Sequence, residues 1–149
     1  MLKREKVIAI CLKSVEERIS YIQNQMNDLS SGIENEGKSS AGNKHETAVS
    51  MMQLEQEKLG EQIRLVMEQK LLLEKLTKLE ARTRVCNGSL VKTNFGTYFL
   101  GPGLGKINTG NEDFFALSFQ SPFGSMLIGK EVGLDFTFNG KKYTILEIE

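Results

Sequence analysis

The chain has 149 residues, 40% of them hydrophobic, which suits one compact domain or two small ones. Its 19 Lys and Arg balance 19 Asp and Glu for a formal net charge of zero, which argues against affinity for free nucleic acid through bulk electrostatics. No apolar run approaches the ~18 residues of a transmembrane helix, so no membrane span is expected.

The opening Met1-Leu2-Lys3-Arg4-Glu5-Lys6, followed by Val7-Ile8-Ala9-Ile10-Cys11-Leu12, has the look of a basic signal-peptide start. Lys13 and Glu16-Glu17-Arg18 follow without a small-residue cleavage site, so it reads as a cytoplasmic helix. Ile8, Leu12, Val15, Ile19, Ile22, Met26, Leu29 and Ile33 then recur at alternating steps of four and three, the spacing that keeps one seam facing a partner helix. Further on, Met52, Leu59, Val66 and Leu73 repeat every seven residues with Ile63 between them, and Leu65, Leu72, Leu76 and Leu79 form a second stripe. Helices are expected at about 5–32 and 46–82, the first extending about 40 Å. Charges such as Glu57, Glu61, Arg64, Glu68, Lys75 and Lys78 read as the solvated flank of a coiled coil.

Between the two patterns lies Gly37-Lys38-Ser39-Ser40-Ala41-Gly42-Asn43-Lys44-His45-Glu46-Thr47, polar and poor in helix formers. It reads as the tip of a helical hairpin. The seam is buried along the shaft, so function is expected at the tip, with Lys38, Asn43, Lys44, His45 and Glu46 as partner-binding residues. His45 alone reads as a solvated loop histidine.

Character changes near Val85-Cys86-Asn87-Gly88. Short apolar runs at 89–93, 97–100, 114–118, 135–138 and 142–148 read as strands. Asn139-Gly140 between alternating runs signals a hairpin, and Ser121-Pro122 opens a short helix carrying Met126, Leu127 and Ile128 against the sheet before Gly129 ends it. Gly101-Pro102-Gly103-Leu104-Gly105-Lys106 lacks the spacing of a phosphate loop and is read as a tight turn. Cys11 and Cys86 have neither metal-ligand spacing nor companion ligands and are expected as reduced thiols. One histidine, two unsupported cysteines and no Ser-His-acid grouping assemble no catalytic set. The fold class is therefore α+β, with an antiparallel coiled-coil hairpin over 1–84, its tip at about 33–45, and a small antiparallel β-sheet domain with a short helix over 85–149.

This order of parts, followed by Ser121-Pro122-Phe123-Gly124-Ser125-Met126-Leu127-Ile128-Gly129-Lys130-Glu131-Val132-Gly133, resembles the Gre family of bacterial transcript-cleavage factors over nearly the whole chain. The FKBP-like C-terminal domain of that family carries a similar Ser-Pro…Leu-x-Gly-Lys-x-x-Gly stretch. The resemblance implies docking on bacterial RNA polymerase at the rim of the secondary channel, with the hairpin inserted toward the active centre. It makes Ser121, Pro122, Leu127, Ile128, Gly129 and Lys130 the docking candidates and implies a cytoplasmic setting. Nucleic acid would be met only through the transcription complex.

The tip departs from the family pattern Gly-Asp-x-Ser-Glu-Asn-Ala-Glu-Tyr, whose Asp and first Glu help hold a catalytic magnesium. Aligned from Gly37, this chain keeps Ser40 but places Lys38 and Ala41 where those acids stand. Magnesium prefers carboxylate oxygens, and a lysine adds a cation beside the metal. The resemblance thus implies a polymerase-binding regulator that is not itself an enzyme, holds no metal or cofactor of its own beyond magnesium bound by the polymerase, and stimulates cleavage poorly. Two alternatives stand beside it. One is an active cleavage factor in which Glu36 and Glu46, near Glu34, act as shifted acids; the other is a coiled-coil adaptor unrelated to transcription. A prolyl isomerase is disfavoured, because an FKBP-like fold does not imply the activity and no apolar active-site set is recognisable in the sequence.

Overall fold

The computed structural model describes residues 2–37, 42–80 and 82–149. Two long helices, α1 (Arg4–Gly37) and α2 (Gly42–Thr77), precede strands β1 (Leu90–Thr93), β2 (Gly96–Leu100), β3 (Gly105–Ile107) and β4 (Phe114–Leu117). A short helix α3 (Pro122–Leu127) and strands β5 (Asp135–Phe138) and β6 (Lys141–Ile148) complete the chain. The class is α+β, a helical hairpin followed by a mostly antiparallel six-stranded sheet with one short helix.

The chain divides into two compact units, 13–70 and the combination of 1–12 with 71–149. The stretch expected as one hairpin domain, 1–84, is thus shared between them.

In the unit of 13–70, Val15, Ile22, Leu59 and Val66 are buried and Ile19, Met26, Leu29, Ile33, Met52 and Ile63 half-buried, as the four-three repeat predicts. Two seam-level positions are polar and each is answered across the hairpin. Gln56 Nε2 donates to Ser30 Oγ at 2.9 Å, and Lys70 Nζ lies 3.7 Å from Glu16 Oε1. Polar residues at such positions fix register at some cost in stability. The helices run closer together in sequence than expected. α1 continues past Gly32 to Gly37, and α2 begins at Gly42 rather than about 46. Gly32 costs about 1 kcal/mol relative to alanine in a helix interior, and half-buried Ile33 beyond it extends the seam.

In the other unit, α2 stops at Thr77, short of 82. Its last carbonyls turn to tighter partners, Lys78 N donating to Lys75 O and Leu79 N to Leu76 O, both at 3.2 Å. Arg4 adds to these: its guanidinium donates to the carbonyls of Leu76, Leu79 and Gly88. A cation at a helix C-terminus is favourable for the same reason. The second stripe is only partly buried. Leu76 is 2% exposed, whereas Leu65 and Leu79 face solvent.

The sheet order is β3-β4-β2-β1-β6-β5. Every neighbouring pair is antiparallel except β2 and β4, which run parallel with Tyr98 opposite Phe115. The all-antiparallel expectation fails there because Gly105–Ile107, expected as part of a turn, forms β3 against β4. With β3 taking the reverse direction, β4 returns alongside β2. Three residues entered through a glycine at φ 79° carry no readable period. The Asn139-Gly140 hairpin is as expected: both residues have positive φ, 49° and 78°, the primed turn whose twist matches the flanking strands.

Both faces of β2 are covered. Tyr98 and Leu100 pack with Val85, Val91, Leu127, Phe136 and Ile145. Phe99, fully buried, lies on the alternate face, where a Cβ on Gly101 would come within 2.7 Å of its ring and 3.3 Å of Leu76. Fully buried side chains of this size contribute about 2 kcal/mol each. Cys11 is buried and its thiol is pushed up to about 12 by desolvation; Cys11 and Cys86 are both free. Among the described residues, no helix is long and apolar enough to cross a membrane.

Candidate functional site

Two regions carry the residues singled out by the sequence. At the hairpin tip, Lys38 and Ala41 lie outside the described residues, as do the side chains of Glu36, Asn43, Lys44 and His45. The backbone of 43–45 is helical, within α2, rather than the loop expected there. Glu34 on α1 and Glu46 on α2 are exposed. Among the described residues, no group of three or more His, Cys, Asp or Glu is placed to hold a metal ion.

The second region is built around α3. Ser121 caps the helix, its Oγ accepting from Gly124 N at 3.1 Å and donating to Ser118 O at 2.6 Å. Pro122 follows at the first helical position, where its missing N–H costs nothing. Gly124 is dictated by close approach, since a Cβ there would sit 2.1 Å from Ser118 O. After Leu127 the chain leaves the helix through Ile128 and Gly129, the latter at φ 82°. It is then pinned from both sides: Gly129 N donates to Val85 O at 2.8 Å and Val85 N to Lys130 O at 2.9 Å.

This geometry sorts the six docking candidates. Leu127 is fully buried and Ser121 spends its hydroxyl on the cap, so these two hold the element in place. Pro122, Ile128 and Gly129 are exposed. Lys130 is half-buried, its ammonium 5.5 Å from the centroid of Phe136, a cation–π distance. Ile128, expected to pack on the sheet, points outward at 38% exposure, because the chain is already extended there at ψ 131°.

Neighbours that sequence reasoning missed enlarge the surface. Val132 and Leu134 are exposed apolar residues flanking Gly133. A groove of about 580 Å³ is lined by Arg82, Thr83, Glu131, Val132 and Ile148, with Arg84 Nε donating to Glu131 Oε1 at 2.9 Å beside it. Valine and leucine around a glycine, outside any strand period, were the available signal.

A ring cluster was also missed. Phe123 of α3 lies 4.6–5.8 Å from Tyr98, Phe138, Tyr143 and Phe136, Tyr98 stacks on Phe115 and Phe95 meets the edge of Tyr143. Alternation along β2, β5 and β6 brings these rings to one face, which no linear motif records. Burial, then the neighbouring Tyr143, pushes the Tyr98 phenol up to about 12. It is therefore a neutral hydrogen-bonding group at ordinary pH. Phe123 occupies the middle of the cluster and packs with Tyr98, Phe136, Phe138 and Tyr143 as part of the core, while Phe95 and Phe115 stay exposed.

The chain matches no protein-family model and no curated protein sequence. Among solved structures it is similar to one titled "Structure of the transcription factor Gfh1", at 14% identity and a TM-score of 0.34, covering 93% of this chain and 92% of that one.

Proposed function

We propose that this chain regulates transcription elongation by binding bacterial RNA polymerase, inserting its hairpin into the secondary channel without stimulating transcript cleavage efficiently. The observation that carries the reading is the stretch Ser121–Gly133, which has the Gre-like residue pattern and forms a capped, backbone-pinned element with Pro122, Ile128, Gly129 and Val132 facing outward. A helical hairpin precedes it in the same chain order as in the family it resembles. The reading also rests on Lys38 and Ala41 standing where cleavage factors carry acids. The protein is then a polymerase-binding regulator rather than an enzyme, and the relevant magnesium belongs to the polymerase.

The test is retention of purified bacterial core RNA polymerase on the immobilised full-length chain. Retention is expected. Ile128→Glu should weaken it about tenfold or more, because a charge would be desolvated in the contact, while leaving the melting temperature within a few degrees. No retention of polymerase by the unaltered chain overturns the proposal.

A further inference from the structure

The seam of the hairpin is closed unequally on its two flanks. One flank is bridged by Gln56 and Ser30. On the other, Gly32 contributes no side chain, and a groove of about 380 Å³ opens over Leu29, Met52 and Leu59 with Asp28, Glu55 and the amide of Gln25, which donates to Tyr21 Oη, on its rim. Packing does not demand the glycine. A Cβ on Gly32 would meet only Met52 Sδ and Cε at 3.6 Å, an ordinary contact. The helix therefore carries a residue costing about 1 kcal/mol relative to alanine, and the result is an open groove.

The rim is anionic and unanswered. Asp28 and Glu55 have no hydrogen bond or ion pair with another described residue; the same holds for Glu17 and Glu57 of this unit, but Asp28 and Glu55 are the carboxylates that line the groove. An apolar occupant would desolvate two carboxylates without compensation, and a nucleic-acid backbone or acidic segment would be repelled. A metal ion would find only two carboxylates, in a region where no three-ligand group exists among the described residues. An arginine answers both parts: its aliphatic stem covers apolar surface while its planar guanidinium accepts carboxylates on two edges.

We propose that this groove seats an arginine side chain presented by a partner protein, the stem over Leu29, Met52 and Leu59 and the guanidinium between Asp28 and Glu55. The proposal is independent of the polymerase reading and concerns only the shaft of the hairpin.

The probes are two synthetic peptides, acetyl-Ala-Leu-Arg-Leu-Ala-amide and its neutral citrulline counterpart, titrated into the isotope-labelled full chain while backbone amide shifts are followed. The arginine peptide should move the amides of 28–32 and 52–59 in a saturable way. The citrulline peptide should bind about tenfold more weakly, as should the arginine peptide to the Asp28→Asn, Glu55→Gln double variant. Raising the salt to about 1 M, where the Debye length is about 3 Å, should weaken the response. Gly32→Leu should abolish it with helicity retained, and if that variant loses helicity the charge-neutral double variant still decides. Equal binding of the citrulline peptide, a response to magnesium chloride in place of the arginine peptide, or no response to the arginine peptide would each overturn the proposal.

Discussion

Among the described residues between 13 and 70 the buried apolar side chains are Val15, Ile22, Leu59 and Val66, a narrow seam whose register is marked by Gln56 with Ser30 and Lys70 with Glu16. The unit of 1–12 and 71–149 buries both faces of β2 and fixes its backbone at single atoms, as where Gly124 meets Ser118 O. The first unit is specified by periodicity and the second by interlock. A periodic seam leaves most surface positions free to vary, so chemistry can change at the tip or along the shaft without refolding. An interlocked unit leaves its surface positions free, among them Pro122, Ile128, Gly129 and Val132.

The largest effect is expected where interlock is tightest. Gly124→Ala should cost about 3 kcal/mol or more, since a backbone oxygen rather than a flexible side chain blocks the new Cβ. Thermal melting followed by tyrosine signals would reveal it, and an unchanged midpoint would break the comparison. Next comes a charge in the seam: Val66→Asp should destabilise the hairpin by about 3 kcal/mol, lowering helicity by circular dichroism while the sheet signals persist. Loss of both signals together would mean that the units do not unfold separately.

Tip chemistry should be adjustable without such losses. In a backtracked-complex assay, Lys38→Asp with Ala41→Glu should raise RNA cleavage about tenfold or more by restoring magnesium ligands, and Glu36→Gln or Glu46→Gln should leave the low baseline unchanged. Strong cleavage by the unaltered chain that either glutamine removes would support shifted acids instead. A smaller effect tests register. Gln56→Leu should stabilise the hairpin by about 0.5–1 kcal/mol in urea melts while loosening its pairing, and a loss of stability would show that the Ser30 bond contributes more than register. The smallest concerns Asp135, whose carboxyl is held below the usual range by hydrogen bonds from Thr144 and then Lys142. A depressed folded pKa stabilises above the unfolded pKa of about 3.9, and that contribution is lost as pH falls through the lower folded value. Asp135→Asn should remove a slight acid sensitivity below about pH 4 and slightly lower stability at neutral pH, where the contribution of the ionised carboxylate is fully present.

Periodic features were legible in the sequence. Ile8 through Ile33 announced the seam, and Asn139-Gly140 announced its hairpin. What escaped depends on contacts distant in the chain. β3 is a strand because β4 is beside it, and α2 ends where Arg4, 72 residues earlier, takes the carbonyl of Leu76. Among candidate residues, Ser121 and Gly129 were readable from local cap and turn chemistry. The outward turn of Ile128 was not, being set by the pairing of Val85 with Gly129 and Lys130. Gly32 was visible as a helix glycine, yet the groove it opens requires Met52 and Glu55 from the second helix.

Arg4 and Leu2 also bear on synthesis. Leu2 N donates to Glu112, 110 residues away, and Leu90 exchanges backbone bonds with Glu149. On a ribosome making about 5–20 residues per second, the shaft of 13–70 has all its partners before the first strand is made. The partners of Leu2 and Arg4, at Glu112 and at Leu76, Leu79 and Gly88, are made well after that shaft has begun. Burial of the opening residues is a late, long-range closure of the kind that slows folding, and until it happens Val7, Ile8 and Cys11 are exposed on the nascent chain as a short apolar run.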